Sequence, residues 1–69
     1  MTGPAKRSVT IAGHRTSVSM EPEFWSALRA IAAEEGRSLA DLLTDIDKTR
    51  NNRNLSSAAR VFVLNKLKT

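Results

Sequence analysis

His14-Arg15-Thr16-Ser17-Val18-Ser19-Met20 is the stretch whose reading decides the fold. From Arg15 onward it alternates. Arg15, Ser17 and Ser19 are polar and point one way; Thr16, Val18 and Met20 are β-branched or apolar and point the other. A period of two marks a strand with one face on a core. After Met20 the pattern turns helical and stays so, which predicts one well-patterned strand over 14–20 followed by helices. A lone strand leaves the N–H and C=O groups of both edges unpaired. In a chain this short the simplest remedy is the same strand of a second copy, so a homodimer is expected.

Upstream, Val9 and Ile11 alternate with polar neighbours, but with the opposite parity: odd positions are apolar here and polar after Arg15. The flip falls at Ala12-Gly13-His14, so the chain should bend, bulge or turn at Gly13. One reading is an N-terminal arm, 1–13, folding back over a domain of residues 14–69. The other is a hairpin within the chain. Ala12-Gly13 is a poor hairpin turn beside Asn-Gly or Asp-Gly, and the arm is preferred.

Downstream, Glu21-Pro22-Glu23 opens a helix: proline suits the first helical position and acidic residues suit the dipole there. Phe24, Trp25, Leu28, Ile31 and Ala32 recur at helical spacing, and Gly36 is placed as a left-handed cap, giving a helix over 22–35. Ser38 is the N-cap of a second helix over 39–50, with Asp41 as a short capping-box partner and Leu39, Leu42, Leu43 and Ile46 on one face. The Asn51-Asn52-Arg53-Asn54 run reads as a loop, and Asn54 caps a third helix over 55–67. Leu55, Ala58, Ala59, Phe62 and Val63 form its stripe. Val61, Leu64 and Leu67 widen it enough that burial on more than one face is expected.

Sixty-nine residues make one domain at most, with a core that is marginal for one chain alone. Cysteine is absent and histidine occurs once, so neither a disulfide nor a metal site is expected. No apolar run approaches the roughly 18–20 residues of a membrane span, and a cytoplasmic protein is the default. The net charge of +4 is unevenly laid out. Residues 1–20 carry Lys6, Arg7 and Arg15 with no acid, 21–47 hold all seven acids, and 48–69 are again basic without acid. An acid-free basic strand end suits a polyanion.

Strand, helix, Gly-Arg-Ser turn and helix, in that order, resemble the ribbon-helix-helix proteins. The resemblance is carried by the alternation from Arg15, by Glu21-Pro22-Glu23-Phe24-Trp25 with Leu28 and Ile31, and by Glu34-Glu35-Gly36-Arg37-Ser38-Leu39. The chain also resembles short bacterial members with a Lys-Arg-Ser-Val-Thr-Ile-Ala-Gly-His-Arg lead-in, here 6–15, and Asn-Leu-Ser-Ser, here 54–57, before a last helix. The resemblance implies a mainly α fold, ribbon-helix-helix, in which the strands of two chains pair antiparallel and the helices of both share one core. Thr16, Val18, Met20, Trp25, Leu28, Leu42, Ile46 and Phe62 are then the expected dimer core. It implies sequence-specific binding of double-stranded DNA by a regulator, commonly a repressor, with higher assembly on DNA open. The N-terminal arm and the third helix depart from the family pattern.

A two-stranded ribbon fits the major groove, the groove with a full base code. Parity makes Arg15, Ser17 and Ser19 the expected base readers, with Arg15 able to make a bidentate contact to guanine. Free N–H groups at the start of the second helix, near Ser38 and Leu39, suit a phosphate, and Arg37 carries over from the same turn. Lys6 and Arg7 are further phosphate candidates, with Arg50 and Arg53 weaker ones. Each has a plainer reading as solvated charge, as Ser38 has as an ordinary cap. His14 fits a plain turn role. No nucleophile and base stand in a catalytic pattern, so no enzyme and no cofactor are expected. An antitoxin is an alternative, but antitoxins of this fold usually add a long C-terminal tail, and here the chain ends at Thr69 after a compact apolar helix. A protein-docking module using the third helix is the other alternative, with its partner unknown.

Overall fold

The strand over His14–Met20, β2, does not stand alone: it pairs antiparallel with β1, Ala5–Ile11, of the same chain. The computed structural model describes residues 4–51 and 54–68. The elements run β1, β2, α1 (Pro22–Glu34), α2 (Leu39–Lys48) and α3 (Leu55–Lys68). The expected arm is thus corrected over 5–11, where the chain forms a hairpin; Met1, Thr2 and Gly3 lie outside the described residues. The turn is Ala12-Gly13, with both residues at positive φ, 52° and 83°. That is what the tight I′ hairpin turn needs, although alanine adopts it at a cost of about 1–2 kcal/mol.

The register settles which side chains share a face. Ala5 pairs with Met20, Arg7 with Val18, Val9 with Thr16 and Ile11 with His14. Directly opposed residues point to the same side of a sheet, so this set forms the face toward the helices. Val18, Met20 and Ile11 are buried on it. The hairpin lies on the helices, β1 packing against α2 and β2 against α3.

The helix boundaries follow local chemistry. Pro22 is the first residue of α1, and the Phe24 and Trp25 N–H groups donate to the Glu21 carbonyl (2.9 and 3.2 Å). At the other end Gly36 takes φ 67°, Arg37 N–H donates to Ala32 O (2.9 Å) and Gly36 N–H to Ala33 O (3.1 Å). These two bonds make a Schellman cap, which needs the left-handed residue that glycine supplies. Ser38 Oγ accepts from Asp41 N–H (3.0 Å) at the start of α2, but among the described residues Asp41 makes no return bond, so the capping box is half made. Asn54 Oδ1 accepts from Ser57 N–H (2.8 Å) to open α3.

The single chain gathers a core of its own. Val18, Met20, Trp25, Leu28, Leu42 and Ile46 are buried there, with Thr16 and Phe62 half-buried at its rim. Leu43, Ala32, Ala59, Val63 and Ile11 join them. Ile11 enters the core because the hairpin carries it there, a place no free arm could give it. Trp25 is fully buried and its Nε1–H donates to the Ala5 carbonyl (2.9 Å), fastening the start of β1 to α1. The expected many-sided burial of α3 does not hold in the single chain: Leu64 is 54% and Leu67 75% exposed.

Candidate functional site

The side of the hairpin away from the helices is polar along its whole length. The cross-strand pairs Lys6–Ser19, Ser8–Ser17 and Thr10–Arg15 point outward. Five of these six residues are exposed, and Ser19 is half-buried. Neither strand contains an acid. Arg15 and Lys6 make no ion pair among the described residues, so their charges are available to a partner. The three expected readers, Arg15, Ser17 and Ser19, therefore share one face with Lys6, while Ser8 and Thr10 were overlooked because their strand was read as an arm.

Arg7 stands differently. It is paired with Val18 and so belongs to the opposite side, with its guanidinium 5.5 Å from the centre of the Trp25 ring. A cation over an aromatic face is attracted by the ring quadrupole, and this contact turns Arg7 from the outward face.

The backbone adds a second property. Residues flanking a two-residue hairpin turn form a hydrogen-bonded pair, and such pairs alternate with non-bonded ones along an antiparallel ladder. Ile11 and His14 flank the turn. Arg15, Ser17 and Ser19 thus direct their N–H and C=O groups to the free edge of β2. At Ser19 those groups are taken: its N–H donates to Ser56 Oγ (3.2 Å), and its carbonyl accepts from an Arg60 NH2 group (3.4 Å). Beside Ser17 a cleft of about 430 Å³ opens between the strand edge and the α2–α3 junction, lined by His14, Thr16, Asp47, Arg50 and Ser56 among others.

Arg37, Ser38 and Leu39 belong to a separate element, the α1–α2 turn. The N–H groups of Leu39 and Ala40 open α2 without partners among the described residues, and the Ser38 hydroxyl keeps its proton to donate. Arg37 is already engaged: it donates to Glu35 (3.2 Å), to the Asp41 carbonyl (3.0 Å) and to the Asp45 carboxylate. Asp45 and then Glu35 raise its pKa further. Lys66 (3.1 Å) and Arg37 together hold the Glu35 carboxyl below the usual range. Arg50 is bound to Asp47 (2.6 Å), and Arg53 lies outside the described residues.

A long-range group that sequence reasoning missed is centred on Arg60. Its Nε–H donates to Glu21 Oε1 (3.1 Å), and its guanidinium lies 6.0 Å from the Phe24 ring centre. A bond from Glu21's own backbone, then Arg60, lowers the Glu21 pKa. No described helix is long and apolar enough to cross a membrane.

A family model described as ribbon-helix-helix domain matches residues 4–67. No curated protein and no solved structure matches the chain.

Proposed function

Because the chain belongs to the ribbon-helix-helix domain family, whose members are in general DNA-binding transcriptional regulators or antitoxins, we propose that it binds double-stranded DNA sequence-specifically and acts as a transcriptional regulator, a repressor in the simplest case. The observation that carries this is the acid-free outward face of the hairpin, with Arg15, Ser17 and Ser19 on β2 and Lys6, Ser8 and Thr10 on β1. A two-stranded ribbon is narrow enough for the major groove, where side chains reach base edges. Arg15 supplies the sharp contact, to guanine O6 and N7. The serines add short contacts of either polarity. Lys6, and the N–H groups near Ser38 and Leu39, anchor phosphates, which fix register without reading sequence.

A homodimer belongs to this reading. Along the β2 edge the Arg15 and Ser17 backbone groups, without partners among the described residues, are placed to meet the same strand of a second copy. Two such strands would carry two Arg15 side chains to the bases, with β1 of each copy toward the flanking phosphates. Selection from random duplex DNA tests the whole reading, and a salt titration on the winning sequence tests the docking surface. Enrichment of one sequence is expected, with log K falling against log salt by about 0.9 per phosphate neutralised. A flat salt response would contradict docking through the basic face.

Arg15→Ala is expected to leave the fold intact, since the side chain is exposed, and to lose roughly 1–3 kcal/mol of discrimination for the selected sequence. Competition between selected and random duplexes measures it. Equal loss on both would remove Arg15 from the readers.

A second reading rests on the exposed Leu64 and Leu67 of α3. Leu67 lines a hollow with Ala27, Ala30 and Ile31 of α1, a surface suited to docking another protein. The same selection separates the two, because a pure docking module enriches no DNA sequence.

A further inference from the structure

Among the described residues, Ser19 is the only one of the three outward β2 residues whose backbone is held by another element. Its N–H reaches Ser56 Oγ (3.2 Å) and its carbonyl receives Arg60 (3.4 Å), so both its polar groups are fixed by residues 37 and 41 positions further along the chain. Arg60 is itself fixed by Glu21 (3.1 Å), the residue that opens α1, and by the ring of Phe24. The end of the reading strand, the start of α1 and the first turns of α3 thus form one joined unit. Met20, next in the chain, is fully buried beneath it.

The lengths of the side chains make this matter. Arg15 has four rotatable bonds and can find a base edge from a range of backbone positions. A serine hydroxyl sits one bond beyond Cβ and has one torsion to adjust. It reads a base only where the backbone carries it, and a recognition group must be held to within about 0.5 Å. We propose that Ser56 and Arg60 are positioning residues for DNA recognition: α3 fixes the backbone of Ser19 and thereby sets the base preference at the α3 end of the ribbon. The inference rests on the DNA-binding reading above and gives α3 a task in it beyond closing the core.

The test is the base-preference profile from random duplex DNA, measured for wild type, Ser19→Ala, Ser56→Ala, Ser56→Thr and Arg60→Gln. Ser56→Ala and Arg60→Gln are expected to lower preference roughly fivefold at the base pairs that Ser19→Ala affects. Preference at the Arg15-dependent pairs and the salt slope should stay as in wild type. Ser56→Thr keeps the hydroxyl and should keep the profile. Amide exchange at Ser19, followed without DNA, should quicken in Ser56→Ala and not in Ser56→Thr. If Arg60→Gln fails to fold, Ser56→Ala carries the test alone, since it deletes one hydroxyl at a half-buried position. A wild-type profile shifted by Ser19→Ala but unchanged by Ser56→Ala would overturn the positioning role and leave DNA reading standing. A wild-type protein that enriches no sequence would overturn both.

Discussion

Val18→Asp unfolds the chain at neutral pH. Val18 is 1% exposed, at the centre of the helix-facing side of β2. Arg7, its cross-strand neighbour, is exposed and lies over the Trp25 ring, so a carboxylate at position 18 meets that cation only by drawing Arg7 off the ring and into the apolar core. Burial of this kind raises a carboxyl pKa by up to about 3–5 units, and because the group then folds protonated the cost at neutral pH is limited to about 4 kcal/mol. The lost valine burial adds about 1.5–3 kcal/mol. A domain of this length has roughly 3–10 kcal/mol of stability in all, so the folded population should collapse. The sign of the pH effect follows. A pKa raised in the folded state means that folding takes up a proton, so the penalty shrinks as pH falls from the raised value toward the unfolded carboxyl value of about 3.9, and acidification from neutral pH should restore part of the structure. Far-UV circular dichroism across pH, with Val18→Ala as the control that stays folded, measures it. A cooperative melt near the wild-type temperature at pH 7 contradicts the placement of Val18 in the core.

That prediction also marks what changed between sequence and structure. The strand over 14–20, the caps at Gly36, Ser38 and Asn54, and the apolar faces of all three helices were legible, because each depends on residues within a few positions of one another. The hairpin was visible but misread. Its register pairs residues whose numbers sum to an odd value, as Ile11 with His14. Odd positions on one strand must then share a face with even positions on the other. The parity flip across Ala12-Gly13, taken as a bend before a free arm, is what any two-residue hairpin turn requires. The weak turn sequence hid it, since alanine at φ 52° is tolerated only where the strands on both sides hold it. With β1 supplied from within, β2 already has one partner strand, and the proposed dimer becomes a matter of the remaining β2 edge. The Ser19–Ser56–Arg60 group was beyond reach for another reason: Ser19 lies 37 and 41 positions from the other two, and nothing in local pattern links a serine in the first turn of α3 to a strand amide.

Trp25→Ala is the second large effect, expected to remove about 3–5 kcal/mol of stability, which is roughly a third or more of what a chain of this size holds. The indole is fully buried, and truncation leaves a cavity that α1, β1 and β2 cannot close without moving. Two further losses are specific to this site. The Ala5 carbonyl loses the Nε1–H donor at 2.9 Å, and Arg7 loses the ring beneath it. Both tie β1 down, so the damage should concentrate on the strand that carries Lys6, Ser8 and Thr10 outward. Trp25→Phe separates the terms: it keeps most of the apolar volume and deletes the hydrogen bond, and should cost about 1–2 kcal/mol. Chemical denaturation followed by circular dichroism gives both values, since Trp25 is the only tryptophan and its loss removes the fluorescence signal. A cost below about 1 kcal/mol for Trp25→Ala contradicts the anchoring of β1 on α1. In Trp25→Phe, which stays folded, a loosened β1 should weaken binding to selected and random DNA alike, because Lys6 is the phosphate contact proposed for β1. The Arg15-dependent base preference should remain, since β2 keeps Val18 and Met20 in the core.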